Sequence, residues 1–478
     1  MNKYISFPLV GSIALMVMGM FSCTAPAILQ TPAGKPLPAA FTSGKDTLNI
    51  ATIRWNTFFT DPTLISLIDT ALANNFDLKI TLQDIEIAKN GIRMAQSKLM
   101  PTVSAGAGLG IEKVGRYTSQ GAGDASADIT PGKGVPEILP SQLLGFQASW
   151  EMDIWGKLKT ARKAALTRYL SSQEAKNWVT TNLVAEIANN YYELLASLNQ
   201  LEIIRQAIQL QQKELDVVKI QRQAAAVTEL AVKQFEAQLL NAKALEYNEL
   251  QQILVFENNI NLLIGKYPGT SRWEASRFMQ PLPITIQAGL PAQLLENRPD
   301  IRKAELDVMA TKFDVQVARA EFFPSLNLGA SLGYNAFSPK YLLHTPESIF
   351  FSLAGELVGP LINKNAIIAE FNTANAAQIQ AVYNYQKTVL NGFLEVTNQM
   401  GAIQNMQQAY QLKTKEVETL ASSIEIASDL FKASRANYLE VLVAQRDALE
   451  TRLEWVEAKK MQWNALTNLF KACGGGWK

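Results

Sequence analysis

Four short segments of the chain alternate apolar and polar residues with a period of two, at about residues 102–112, 142–153, 325–337 and 349–361. In the first segment the apolar positions are Val103, Ala105, Ala107, Leu109 and Ile111, with serine or glycine between them. Such alternation over about ten residues is typical of a membrane-spanning β-strand, and its length suits a tilted crossing. The fourth segment alternates less regularly. The pattern predicts two strand hairpins, with loops rich in turn-forming residues at about 113–141 and 338–346.

Most of the remaining chain follows helical periodicity. The helical stretches run at about 61–100, 157–223, 229–264, 300–323, 365–432 and 439–471. In the second stretch, Ile187, Tyr191, Leu194, Leu198 and Leu201 recur at spacings of four and three, which is the pattern of a coiled-coil seam. A helix of about 65 residues would be roughly 100 Å long, so the pattern predicts an elongated helical structure.

The chain contains two tandem copies of one unit. Asp77, Pro101, Gly106 and Gly110 recur as Asp300, Pro324, Gly329 and Gly333 at a constant offset of 223 residues. Other residues recur at offsets of 207 and 209, as expected where loops differ in length. We therefore predict a tandem duplication, with repeats at 61–270 and 291–472, a linker at 271–290 and a tail at 473–478.

The N-terminus has the features of an export signal. Lys3 precedes a stretch of apolar or small residues from about position 5 to 21, and Met20-Phe21-Ser22-Cys23 resembles the bacterial lipoprotein cleavage box. These features predict a signal peptide at 1–22, a lipid on Cys23 and an extended segment at 23–60. Ordinary signal-peptidase cleavage, with an incidental Cys23, stays open as the alternative.

Composition argues against several classes of function. The chain has 44 basic and 43 acidic residues, a net charge of +1 that gives no reason to expect nucleic acid as a partner. One histidine, His344, and two cysteines, Cys23 and Cys473, are a poor inventory for metal or acid–base chemistry. We predict no metal, no cofactor other than the lipid, and no enzymatic activity.

After the signal, no run of about 18 apolar residues occurs, so a membrane crossing would have to use the four strands in a closed β-barrel. Four strands cannot close a barrel, since eight is the practical minimum. The barrel must then be shared between copies of the chain. A dimer, a trimer and a tetramer all satisfy this requirement. The apolar strand face would meet lipid and the polar face would line a water-filled duct.

Several motifs together carry a resemblance. They are Asp153-Ile154-Trp155-Gly156-Lys157, Asn297-Arg298-Pro299-Asp300-Ile301-Arg302, Ala320-Glu321-Phe322-Phe323-Pro324-Ser325-Leu326, Tyr438-Leu439-Glu440-Val441-Leu442 and Gly474-Gly475-Gly476-Trp477. With the duplication, they cover nearly the whole mature chain and are similar to those of the TolC-like outer membrane efflux proteins. The lipid-anchored branch that serves resistance–nodulation–division pumps fits best. The motif residues Asp153, Gly156, Arg298, Pro299, Asp300, Pro324 and Gly474 are expected to be structural.

The resemblance implies an α+β fold in which three copies form a twelve-strand β-barrel continued by an α-helical barrel of coiled-coil hairpins. It implies an outer-membrane exit duct that conducts small molecules passively. It also implies two partners: a periplasmic membrane-fusion adaptor and an inner-membrane resistance–nodulation–division pump.

The resemblance further implies that the helical turns at about 224–230 and 433–439 close the duct at its periplasmic end. Glu440 stands at the family's acidic aperture position, and Arg435 and Arg446 flank it as candidate bridging groups. Val443 and Ala231 stand where other members often carry Asp, so a single acidic layer is expected.

Two other functions stay open at this point. A periplasmic lipoprotein scaffold would explain the helices, although it leaves the four strands without a purpose. An envelope enzyme could use paired carboxylates such as Glu151 and Asp153, which the alternation places on one strand face.

Overall fold

The structure is a computed structural model, and it describes residues 26–34, 36–41, 49–269, 273–282, 288–360, 362, 364–433 and 435–478. The predicted signal peptide, Cys23 and part of the predicted linker at 271–290 lie outside the described residues.

Ten α-helices and six β-strands are formed by the described residues. The helices are α1 Trp55–Phe58, α2 Pro62–Asn74, α3 Phe76–Ser97, α4 Ser119–Asp124, α5 Lys157–Gln223, α6 Glu229–Leu263, α7 Leu294–Asn297, α8 Pro299–Ala320, α9 Asn365–Lys432 and α10 Tyr438–Ala472. The strands are β1 Thr102–Glu112, β2 Asp128–Thr130, β3 Lys133–Gly134, β4 Leu139–Met152, β5 Ser325–Ala336 and β6 Ile349–Val358. The prediction of long helices flanking four amphipathic strands is confirmed. Among the described residues, none of the helices combines the length and apolar composition needed to cross a bilayer.

The four long strands form one antiparallel sheet in the order β1-β4-β5-β6. The register aligns the alternation across all four strands, because directly paired residues point to the same face. One row across the sheet is Ala105, Phe146, Leu332 and Phe351, and the neighbouring row is Ser104, Gln147, Ser331 and Ser352. The predicted apolar and polar faces are therefore continuous surfaces of the sheet.

A pair of glycines lets β4 and β5 approach closely. A Cβ atom on Gly333 would lie 2.4 Å from the carbonyl oxygen of Leu144 and 2.6 Å from the Cα atom of Gly145. A Cβ atom on Gly145 would meet Gly333 in the same way, at 2.9 Å from its Cα atom. Gly106 lies in the same row and has open space at this position. Glycine is therefore required at two positions of this row.

The first helical stretch differs from the prediction of one helix over 61–100. It is interrupted at Asn75, which separates α2 from α3, and it ends at Ser97. The Asn75 side chain donates a hydrogen bond to the carbonyl oxygen of Leu263 (3.0 Å) and accepts one from the Leu78 N–H (3.0 Å). The interruption depends on a contact between residues 188 positions apart, which local periodicity does not contain.

Other strands and helices also begin or end at residues different from those predicted. β4 begins at Leu139 and ends before Asp153, β6 ends at Val358, and α8 runs from Pro299 only to Ala320. The loop between β1 and β4 contains the short helix α4 and the small strands β2 and β3, which were not predicted.

The chain forms two compact units, each built from separate stretches of sequence. The first comprises Glu86–Tyr169 and Leu306–Val382 with the residues up to Pro32, and it contains the sheet. The second comprises Ala33–Ile85, Leu170–Glu305 and Tyr383–Lys478. Its main core contains the predicted seam residues Ile187, Tyr191 and Leu194 of α5, together with Leu469 and other residues from the C-terminal half of α10.

Candidate functional site

Two helical turns, one in each repeat, lie over a shared apolar cluster in the second unit. The first turn connects α5 to α6 and the second connects α9 to α10. The cluster consists of Leu215, Val218, Ala231, Val232, Phe235, Leu239, Val441 and Leu442. Because α5, α6 and α10 all contribute side chains to it, both turns are held beside one another by burial of apolar surface.

The second turn carries Glu440, the predicted aperture residue. Its carboxylate accepts a hydrogen bond from the Asn437 N–H (3.1 Å), while the Asn437 side chain accepts one from the Leu439 N–H (3.3 Å). This reciprocal arrangement is a capping box that satisfies free N–H groups at the start of α10. The Glu440 side chain is exposed. It therefore has a local structural role and can still present negative charge to solvent.

Arg435 and Arg446 are not joined to Glu440 by any ion pair among the described residues. Arg446 binds the neighbouring Asp447 instead, at 2.8 Å, and both side chains are largely exposed. Arg435 is exposed, and its N–H donates to the carbonyl oxygen of Leu430 (2.8 Å). Within one chain, the structure does not bring the three predicted aperture residues together.

The first turn is built from different residues. Ala225 adopts a positive φ of 59°, Thr228 caps α6, and Arg222 forms an ion pair with Glu229 (2.9 Å) across the turn. Ala231 is fully buried in the apolar cluster. Its position therefore offers no surface from which an acidic side chain could reach solvent without disturbing the packing.

A polar layer next to this cluster was missed by the sequence reasoning. Gln211 and Gln445 are 2% and 4% exposed, and the Gln445 amide donates to the Glu214 carboxylate between α10 and α5. Burial raises the pKa of Glu214 above its ordinary range. This layer could have been found in the sequence as glutamine residues at positions that the helical periodicity assigns to the buried face. Such a layer contributes less to helix association than apolar packing would.

The motif around Arg298 forms a buried centre in the second unit. Arg298 is 1% exposed, and its guanidinium donates to both carboxylate oxygens of Asp300 (3.0 and 2.6 Å) and to Glu395 (2.6 Å). It also donates to the carbonyl oxygen of Ala472 (3.0 Å) and lies 5.2 Å from the ring of Trp178. Burial alone would lower the pKa of Arg298, but Asp300 and Glu395 outweigh it and raise the pKa. Pro299 is the first residue of α8, a position that suits proline because its fixed φ angle is already helical.

The C-terminal motif packs on the same centre. Gly474 has a φ of +93°, and a Cβ atom there would lie 2.5 Å from the carbonyl oxygen of Asn297. Trp477 donates from its indole to that oxygen (3.2 Å), and the Lys478 ammonium binds the Asn297 side chain (2.8 Å). Two motifs that are far apart in sequence therefore form one structural element.

Motifs of the two repeats also meet in the first unit. Both carboxylate oxygens of Asp153 accept N–H groups at the start of α5, from Leu158 (2.8 Å) and Lys159 (2.9 Å). Gly156 adopts a φ of +73°, and the Trp155 indole donates to the carbonyl oxygen of Pro324 (2.7 Å). These contacts fix the strand-to-helix transition of one repeat against that of the other.

The carboxylate pair Glu151 and Asp153 is used structurally. Glu151 binds Lys157 (2.6 Å), which also contacts Glu321 (3.3 Å), while Asp153 caps α5. Among the described residues, no group of histidine, cysteine and carboxylate side chains is arranged to hold a metal ion.

Comparison with known proteins decides the family. The model of the outer membrane efflux protein family matches residues 67–266 and 290–475. The chain belongs to the outer membrane efflux protein family. It is 28% identical to the solvent efflux pump outer membrane protein SrpC of Pseudomonas putida, over 99% of both chains. It is 26% identical to the probable outer membrane lipoprotein SilC of Salmonella typhimurium, over 95% of both chains.

The fold is shared with solved channels. The open state of the Neisseria gonorrhoeae MtrE outer membrane channel superposes with a TM-score of 0.81, at 23% identity, and covers 95% of this chain and 98% of that chain. This outer membrane efflux protein is therefore a transport component of the outer membrane and not an enzyme, as predicted.

Proposed function

We propose that three copies of this outer membrane efflux protein form the exit duct of a tripartite pump. The observation that carries this proposal is the open sheet. Within the described residues, β1 and β6 each pair on one side only, which leaves two edge strands. Exposed edges of this length are unfavourable in lipid, because every backbone N–H and C=O must be paired there. Pairing β6 of one copy with β1 of the next satisfies both edges, and three copies give twelve strands.

The two sheet faces support a water-filled barrel. The row with Phe146, Leu332 and Phe351 would contact lipid, and the row with Gln147 and Ser352 would line the lumen. The chain would conduct its cargo passively, with the energy supplied by the inner-membrane pump. A periplasmic adaptor and an inner-membrane resistance–nodulation–division pump would complete the system. The similarity to SrpC, which is named as part of an efflux pump, supports these partners.

A lipid on Cys23 is a further part of the proposal. The sequence of the cleavage box supports it, as does the similarity to SilC, which is named as a lipoprotein. Mass spectrometry of the mature N-terminus would test it. A mature protein that starts at another residue, or an unmodified Cys23, would contradict it.

Edge-to-edge assembly can be tested by cross-linking. Ser104 on β1 and Ser352 on β6 occupy the two ends of one polar row, and Cys473 is fully buried. In membranes, a bis-maleimide should convert the double variant Ser104→Cys/Ser352→Cys into covalent dimers and trimers. The two single variants are the controls and should stay largely monomeric on denaturing gels. A double variant that reacts with a monofunctional maleimide but yields only monomers would contradict the assembly.

Conduction and the aperture can be tested together in planar bilayers. Glu440→Gln removes the charge but keeps the capping geometry, whereas Glu440→Ala removes both. The wild type should conduct with a preference for cations, and Glu440→Gln should weaken that preference. Glu450→Gln, which neutralises another exposed carboxylate of α10, is the matched control and should have no effect. An unchanged preference in Glu440→Gln would remove Glu440 from the aperture.

A further inference from the structure

A cavity of about 240 Å³ lies within the second unit. It is lined by three parts of the chain: residues 58–61 before α2, residues 277–281 after the first repeat, and the central part of α5 with the C-terminal part of α10. The interruption of regular structure on two sides leaves room that the two long helices do not fill. An apolar cavity of about 150 Å³ is enough to admit benzene, so this one has room for a molecule of one or two rings.

Aromatic side chains form much of the cavity wall. They are Phe58, Phe59, Tyr192, Phe278 and Trp463. The rings of Tyr192 and Trp463 are stacked at 4.6 Å with an angle of 12°, and Phe58 and Phe59 meet edge to face at 4.9 Å. The Trp463 indole N–H is already satisfied by the carbonyl oxygen of Phe278 (3.0 Å). The wall therefore offers ring faces and edges, which favour a planar aromatic ligand.

Two residues of the cavity wall, both largely buried, carry a hydroxyl group that makes no hydrogen bond to the described part of the chain. Tyr192 is 6% exposed and Thr467 is 1% exposed. The adjacent Tyr191 differs, since its hydroxyl donates to the Asp61 carboxylate (2.9 Å). Burial is the main reason that the pKa of Tyr192 is raised, so its hydroxyl stays protonated and can donate. Both hydroxyls can therefore form a hydrogen bond with a polar group of a ligand in the cavity.

The charge of the wall selects against an ionic ligand. Among the described residues that line the cavity, the charged ones are Asp61 and Arg277, with opposite signs. The two oxygens of Asp61 already accept from the Thr63 N–H (2.8 Å) and from Tyr191. An ion would leave water for a wall without net charge, which is unfavourable.

We propose that this cavity is a binding site for an uncharged aromatic molecule of one or two rings that carries one hydroxyl group. The rings lie against Phe58, Phe59 and Trp463, and the ligand hydroxyl bonds to Tyr192 and Thr467. This site is separate from the conduction proposed above and does not depend on it. A ligand here would contact all three parts of the chain that enclose the cavity and would stabilise the folded protein by mass action.

The test uses 2-naphthol with the purified full-length protein in detergent, measured by isothermal titration calorimetry against a detergent blank. Naphthalene lacks the hydroxyl, and 2-naphthoate carries a charge. We expect 2-naphthol to bind about tenfold or more tightly than either of them. Tyr192→Phe and Thr467→Val should each weaken binding by about five- to fifteenfold. Tyr410→Phe removes a hydroxyl that does not line the cavity, so it should bind like the wild type.

Location is checked independently with 6-bromo-2-naphthol, whose bromine is found by anomalous diffraction from soaked crystals. A bromine peak among the aromatic side chains of the cavity supports the site. Equal affinity of the two hydroxyl variants and the Tyr410→Phe control would overturn the proposal. So would a bromine peak elsewhere, or no binding of 2-naphthol to folded protein. Far-ultraviolet circular dichroism of each variant verifies that the fold is intact.

Discussion

Replacement of Arg298 by Met should destabilise the second unit far more than replacement of an exposed arginine. The side chain makes bidentate bonds to Asp300, which is 15% exposed, and one bond to the carbonyl oxygen of Ala472 at the end of α10. Removing one member of a buried ion pair typically costs about 3–5 kcal/mol, because the remaining charge loses its partner. Glu395 adds little to this figure, since it is 46% exposed and can be solvated instead.

The matched control is Arg302→Met in the first turn of α8, four residues after Arg298. Arg302 is 44% exposed and binds Glu174 at 3.4 Å, so its loss should cost less than about 1 kcal/mol. Arg298→Lys keeps the charge but loses the planar fork, and we expect about half of the full effect. Adding Asp300→Asn to Arg298→Met should recover part of the stability, because the unpaired carboxylate is removed.

The free energy of unfolding is measured by urea titration in one detergent, followed by far-ultraviolet circular dichroism. If Arg298→Met is no less stable than Arg302→Met, the reasoning that the buried ion pair holds this unit together is refuted. If Arg298→Lys behaves as the wild type, the bidentate geometry has no energetic importance.

Three further predictions concern other parts of the chain. Gly333→Ala should prevent stable pairing of β4 with β5, whereas Gly106→Ala in the same row should be tolerated; heat-modifiable migration on gels measures the difference. Asp153→Ala should cost about 1–2 kcal/mol by removing the cap of α5, and Asp153→Asn should recover part of it in urea titrations. Burial lowers the pKa of Lys459 from 10.5 to about 8, so the folded state binds fewer protons between these values. The free energy of unfolding should then rise by about 3 kcal/mol as the pH increases through that window, and Lys459→Met should abolish the rise.

The alternation in the sequence was sufficient to predict the four strands and their two faces, because a period of two places all apolar residues of a strand on the same face. The limits of α5 and α9 followed from uninterrupted helical periodicity. The interruption at Asn75 could not be predicted, since it depends on the carbonyl group of Leu263 far away in the chain.

The site was less accessible to sequence reasoning. The family resemblance identified Glu440 as the residue at the acidic aperture position. It did not predict the capping hydrogen bond between Glu440 and Asn437. The sequence predicted only that Arg298 has a structural role near the start of a helix. Its contact with Ala472 requires knowing which segments meet in space, although the joint presence of the two motifs was a usable signal.

The tail that packs against Asn297 has a consequence for how the protein is made. Gly474, Trp477 and Lys478 lie about 180 residues after Asn297 in the chain, yet the centre they complete includes Arg298. The second unit also draws on three separate stretches of sequence. It therefore cannot reach its final packing until residues 474–478 have been synthesised and exported. A polypeptide that stops before Gly474 would lack this closure, although it would contain every other part of the centre.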